Sequence, residues 1–265
     1  MGMSALIMRD FLSAGLLGLL ALMLIPYSLA SSTYVTIATT EYPPYTSQFL
    51  VKNGYVNHII SSAFRQENID VRYVFVPWSR ALQETQDGTF DAVSYGAHQE
   101  DRNKNFFYSE LLIKENIFLF GLKNKVPKTW SSLSELVHFR VGVTRGYSYN
   151  KAFWAFVEIV KHQPSIVNTD LQNFKMLMLQ RIDLFPMEEF AARHLLNHHF
   201  SIEQVRNIQM LLPPIRESSM HLLISKANPK AKQLLETFNR GLATLKASGE
   251  LSTFEQQFRK GFYNE

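Results

Sequence analysis

Tyr34-Val35-Thr36-Ile37-Ala38-Thr39-Thr40-Glu41-Tyr42-Pro43-Pro44-Tyr45 is the stretch whose reading decides the fold. Its β-branched first half predicts a strand over 34–39. The two prolines fix φ and remove backbone donors, so neither strand nor helix continues through Glu41–Tyr45. Downstream, Val56, Ile59, Ile60, Ala63 and Phe64 repeat at helical spacing after Asn53-Gly54. A second strand is expected over Val71–Val76, ended by Pro77. A helix follows from Ser79 to Gln86, stopped by Asp87-Gly88, then a third strand over Phe90–Tyr95. This alternation predicts a mostly parallel sheet covered by helices. Ligands of such sheets sit beyond the carboxyl ends of the strands, where Tyr42, Tyr45, Trp78 and the segment after Tyr95 fall.

Further along, Glu115–Gly121 is β-like and the polar stretch Lys123–Thr129, with Pro127, reads as a boundary. A second α/β unit begins there. It predicts a short helix over Trp130–Val137, a strand over Arg140–Val143, a turn at Gly146 and a helix over Tyr147–Val160. A weak strand at Ile166-Val167, a helix over Leu171–Leu179, a strand over Ile182–Pro186 and a helix over Glu188–Leu196 continue it. Met220–Ser225 reads as a strand returning to the first unit. Leu234, Leu235, Phe238, Leu242 and Leu245 share one helical face, with Gly249 as its stop and a short helix over Ser252–Phe258 after it. The expected fold class is α/β: two lobes joined by two crossing strands, with an interlobe cleft able to close by a hinge. The first lobe is discontinuous, 31–122 plus 222–265; the second is 123–221.

Upstream of the deciding stretch, residues 1–30 read as an export signal. Arg9 precedes the apolar run Phe11–Ile25, and Ser28 and Ala30 supply small side chains for cleavage after Ala30. An uncleaved anchor is the rival, but the run is short for a full span. Removing 30 of 265 residues leaves 235, and no second long apolar run occurs. Cysteine is absent, which excludes disulfide staples and thiolate chemistry. The net charge of +4 is dispersed, without the clustered basic stripe a nucleic-acid footprint needs. Aromatic residues make up 13% of the chain, many beside prolines or polar residues, which hints at a binding cleft.

Catalytic and metal patterns are weak. His194, His198 and His199 lack a carboxylate to complete a zinc motif and read as a polar helix end. No nucleophile-elbow pattern appears. Gly142-x-x-x-Gly146 lacks the Gly-Lys-Ser/Thr ending of a phosphate loop. Neither a metal nor a cofactor is expected.

The ordered set of segments resembles the bacterial extracellular solute-binding proteins of family 3 over essentially all of the chain after the signal. The matching elements are Glu41-Tyr42-Pro43-Pro44-Tyr45, Gly88-Thr89-Phe90-Asp91-Ala92, and Glu100-Asp101-Arg102 followed by Phe107-Tyr108-Ser109. Val141-Gly142-Val143-x-x-Gly146, Arg181-Ile182-Asp183 with Glu188, Ser225-Lys226-x-Asn228-Pro229 and Phe238-Asn239-x-x-Leu242 complete the series. Three departures stand out: Glu188 where aspartate is usual, His98-Gln99-Glu100 in place of a small hydroxylated stretch, and Pro77-Trp78-Ser79-Arg80, which resembles a branch with a Trp-x-Arg element.

The resemblance implies that Arg102 clamps a ligand α-carboxylate, that Glu188 receives an α-ammonium, and that the turn with Tyr147 and Ser148 adds hydrogen bonds. A guanidinium fork suits a carboxylate. Tyr42, Tyr45 and Trp78 form an aromatic wall or pack a turn against the sheet. Glu41 is a cleft residue or a turn cap, and Arg80 a second anion contact or a solvated helix residue. The expected function is a monomeric periplasmic receptor that binds a small polar solute, an amino acid or related zwitterion, for an inner-membrane ABC permease. The alternative is a ligand sensor that signals to a membrane protein without import.

Overall fold

The computed structural model describes residues 33–145, 147 and 149–264. The expected signal segment and cleavage point, Gly146 and Ser148 lie outside the described residues.

The first half follows the predicted alternation: β1 (Thr33–Thr39), α1 (Tyr55–Gln66), β2 (Ile69–Phe75), α2 (Trp78–Gln86) and β3 (Ala92–Ala97). β2 and β3 pair with β1 in parallel on either side. The periodic face of α1 is fully buried at Val56, Ile59, Ile60, Ala63 and Phe64. The segment before β3 is held by Asp91, whose carboxylate accepts from Thr36 N and Oγ1 at 2.8 Å and from Asn228 Nδ2 at 2.9 Å. Asp91 thus ties β1 to the turn that follows the last strand.

Next come β4 (Phe106–Tyr108) and β5 (Ile113–Leu122), then a second unit built from β6 (Gly142–Thr144), α3 (Lys151–Ile159), β7 (Ser165–Val167), α4 (Asp170–Met178), β8 (Phe185–Glu188), α5 (Glu189–His199) and α6 (Ile202–Arg206). The helix expected over Trp130–Val137 is only a 3-10 turn, Leu133–Leu136. α3 starts at Lys151 rather than Tyr147, because Asn150 caps it by accepting from Phe153 N at 2.7 Å. β9 (Ile208–Ser225), α7 (Ala231–Ser248) and α8 (Glu250–Arg259) close the chain. Gly249 sits between the last two helices at φ +80°, a left-handed position natural to glycine. α7 packs on α1 at Gly241, where a Cβ would stand 2.0 Å from the Ala63 carbonyl oxygen.

Seven strands form one sheet in the order β2-β1-β3-β9-β5-β8, with β4 also on β9. The first three strands pair in parallel as expected, but the sheet as a whole is mixed. β9 runs antiparallel to β3, β4 and β5, and β8 runs antiparallel to β5. The expectation of a strand over Met220–Ser225 found only the end of β9. The strand reaches back to Ile208 through Pro213 and Pro214, which lie where its register against β5 shifts. Prolines lack a ladder donor and are tolerated at such an irregularity. β5 and β9 are the two crossing strands that join the α/β lobes. Among the second lobe's core residues are Leu136, Val143, Phe153, Phe156 and Leu184, and Leu119 and Leu211 of the crossing strands join them.

Candidate ligand-binding site

Strand register brings the polar groups of the cleft together. Side chains directly opposite in an antiparallel pair share one face of the sheet. Ile117 of β5 faces Arg216 of β9 on one side and Glu188 of β8 on the other. The adjacent row pairs Glu115 with Ser218. Arg216, Glu115 and Glu188 therefore lie on one face as diagonal neighbours or members of the same row. Over this face arch the Glu41–Thr46 turn, the end of β3, and the segment following β6.

Between them is a cavity of about 190 Å³. A dry cavity of roughly 150 Å³ holds a molecule of benzene, so this one suits a ligand of that size or a little larger. Tyr42, Trp78, Tyr95, Tyr147 and Tyr149 supply its aromatic walls; Arg102, Arg216, Glu41 and Glu115 are its charged lining residues. Tyr42 and Tyr147 meet edge to face, ring centroids 6.5 Å apart. Past them the cleft widens into about 460 Å³ beside Arg145, Asp170 and His194. Tyr147 donates to Asp170 Oδ2 at 2.8 Å. Burial pushes the Asp170 carboxyl up, against the pull of its Thr144 and Tyr147 donors.

Electrostatics sharpen the picture. Glu115 is only 6% exposed. Burial pushes its carboxyl up to about 7, while the Tyr95 hydroxyl that donates to it and the Arg216 charge pull the other way. Glu188 rises to about 8, first by burial and then by the nearby Glu115. Burial lowers Arg216, and Arg102 lowers it further by like-charge repulsion, against the opposing pull of Glu115. Its guanidinium stays charged at neutral pH.

The residues singled out in the sequence fall into three places. Glu41, Tyr42, Trp78, Arg102 and Tyr147 line the cavity. Glu41 is also a turn cap, accepting from Gln48 N at 3.1 Å. The Arg102 guanidinium lies 5.9 Å from the centre of the Trp78 ring. Tyr45 and Glu188 lie beneath the lining. Tyr45 stacks behind Tyr42 at 5.9 Å, and the nearby Glu188 helps to raise its hydroxyl. Glu188 caps α5, accepting from Ala191 N at 2.8 Å. Arg80 is elsewhere, exposed and paired with Glu84 at 2.7 Å.

Sequence reasoning missed Tyr95, Glu115, Tyr149, Arg216 and Ser218. One signal was available for Glu115: it alternates with Ile113 and Ile117 on the inward face of a strand, where a lone acid is unusual.

Residues 35–261 match the family of bacterial extracellular solute-binding proteins, family 3. The chain belongs to that family. It is a family of binding proteins, not of enzymes. Solved structures share the fold at low identity. A histidine kinase sensor domain similar to periplasmic binding proteins aligns with a TM-score of 0.71 at 16% identity, over 84% of this chain and 95% of that one. An ABC uptake transporter substrate-binding protein from Streptococcus pneumoniae with bound histidine gives 0.70 at 17%, over 84% and 91%. The substrate-binding protein of an amino-acid ABC transporter gives 0.68 at 18%, over 86% and 99%. Among curated protein sequences, none matches the chain.

Proposed function

We propose that this family 3 protein is a periplasmic receptor that captures a small zwitterion, an amino acid or close relative, and delivers it to an inner-membrane ABC importer. The observation that carries this reading is the cavity over the inner face of the crossing strands. Guanidinium and carboxyl groups share one small space walled by aromatic rings. A carboxylate suits the planar fork of Arg102, and the rings can cover the ligand's apolar and cationic parts. Capture by ion pairs and hydrogen bonds needs no cofactor.

The crossing strands are also the natural hinge. Lobes at 31–122 plus 222–265 and at 123–221 would close over a ligand that prefers the closed form. Export through a signal cleaved after Ala30 would place the receptor in the periplasm. A second reading has its own support, because a histidine kinase sensor domain shares the fold. In that case the occupied form would signal to a membrane protein.

Uptake of the labelled ligand by cells with and without this protein separates the two. Importer function predicts that uptake falls when the protein is deleted and returns on re-expression. Unchanged uptake together with a lost transcriptional response to the ligand would overturn import in favour of sensing.

A further inference from the structure

We propose that Glu115 of the crossing strand β5 receives the cationic group of the ligand, with Arg216 of β9 joining Arg102 on its anionic group. This deepens the receptor reading and rests on it. Glu188, the acid that the family resemblance points to, is engaged elsewhere. Its carboxyl caps α5 through Ala191 N, and it is not a lining residue of the cavity. Glu115 is on the lining. A carboxylate has about four acceptor positions, and the Tyr95 hydroxyl fills one of them.

Glu115 and Arg216 sit on one face, a diagonal step apart across β5 and β9. An acidic and a basic group thus stand side by side on the cavity floor, as capture of a small zwitterion requires. Arg102 and Arg216 both line the same small space and repel each other; a bound carboxylate would relieve that repulsion. A buried carboxylate is costly without a partner, and a ligand ammonium supplies one.

The groups acting on Glu115 come from every neighbouring element. They are Tyr95 of β3, Tyr42 and Tyr45 of the proline turn, Tyr147 after β6, Glu188 of β8 and Arg216 of β9. Arg216 is the cation among them and the tyrosines are uncharged near neutrality. Glu115 is therefore largely protonated in the empty cleft at pH 6. A bound ammonium would favour the carboxylate, so the proton leaves to the buffer on binding.

The test is calorimetric titration of the exported chain with the twenty common L-amino acids, putrescine and glutarate, in two buffers of different ionisation enthalpy. An amino acid should bind the wild type with release of about one proton at pH 6 and close to none at pH 8.5. Glu115→Gln, with wild-type circular dichroism, should lose about 30-fold or more in affinity and the proton release with it. Glu188→Gln should lose less than Glu115→Gln.

Putrescine binding that depends on Glu115, with no amino acid bound, would end the amino-acid reading and keep Glu115 as the cation site. Affinity unchanged in Glu115→Gln, a larger loss in Glu188→Gln, or binding of glutarate alone would overturn the inference. If Glu115→Gln does not fold, Glu115→Asp withdraws the charge by one methylene. A loss of about tenfold then supports the assignment, and unchanged affinity contradicts it.

Discussion

The two faces of the β5–β9 ribbon each place an acid and a base at matching positions, in two different worlds. On the outer face, Lys114 of β5 and Glu217 of β9 meet at 2.8 Å, each side chain 56% exposed. On the inner face, Glu115 and Arg216 occupy the matching diagonal positions one residue along. Outside, water screens the charges and the pair contributes little. Inside, burial raises the carboxyl to about 7 and lowers the guanidinium. Spacing is shared, while the acid and base exchange strands and lysine gives way to arginine; burial is what sets the inner two apart electrostatically.

The comparison breaks most sharply at Arg216. Arg216→Ala should weaken ligand affinity about 100-fold by titration, roughly 2.7 kcal/mol. An unchanged Kd would make the inner pair no different from the outer one. Glu188→Ala should cost about 2 kcal/mol in urea unfolding, since α5 loses its buried cap and the Ala191 N–H its acceptor. A cost under about 0.5 kcal/mol would place Glu188 among surface groups.

Acidity gives a third, smaller contrast. Glu115 and Glu188 have folded-state values raised above the usual 4.5, to about 7 and about 8. The folded state then holds protons that the unfolded chain has released, so their contribution to stability falls as pH rises through the folded values. His58, pushed down to about 4 by burial, gives the opposite slope, which ends near 6.5. Between pH 6.5 and 8.5 the ligand-free wild type should lose on the order of 2–3 kcal/mol, and Glu188→Gln distinctly less. A flat profile for both would contradict the buried-acid assignment. The smallest effect belongs to the outer face: Lys114→Ala should change stability by less than about 0.5 kcal/mol.

Much of the fold is legible in local sequence. The helical period of Val56–Phe64 and of Leu234–Leu245 marks α1 and α7, and Gly249 marks the boundary of α7 with α8. The first half of β9 is not legible, because Pro213-Pro214 and Arg216-Glu217 mask a two-residue period that only pairing with β5 restores. The three-residue strand β4 is too short to declare itself. The cleft follows the same division. Proline punctuation points to Tyr42 and Trp78 at strand ends. Glu115 opens the β-like run Glu115–Gly121, and Arg216 lies outside every predicted element. Which of two neighbouring charges faces the cavity is a property of register, and register is set by strands distant in sequence.

The most direct test of a zwitterion receptor is a thermal-shift screen of the ligand-stripped chain from Ser31 onward, with Arg102→Ala beside the wild type. An L-amino acid at about 100 times its Kd should add roughly 2.7 kcal/mol, or about 5–10 °C, to the wild type. The variant should show little or no shift at the same concentration. An equal shift in both proteins, or a shift produced only by uncharged sugars, would contradict capture of a zwitterion by the charged floor of this cleft.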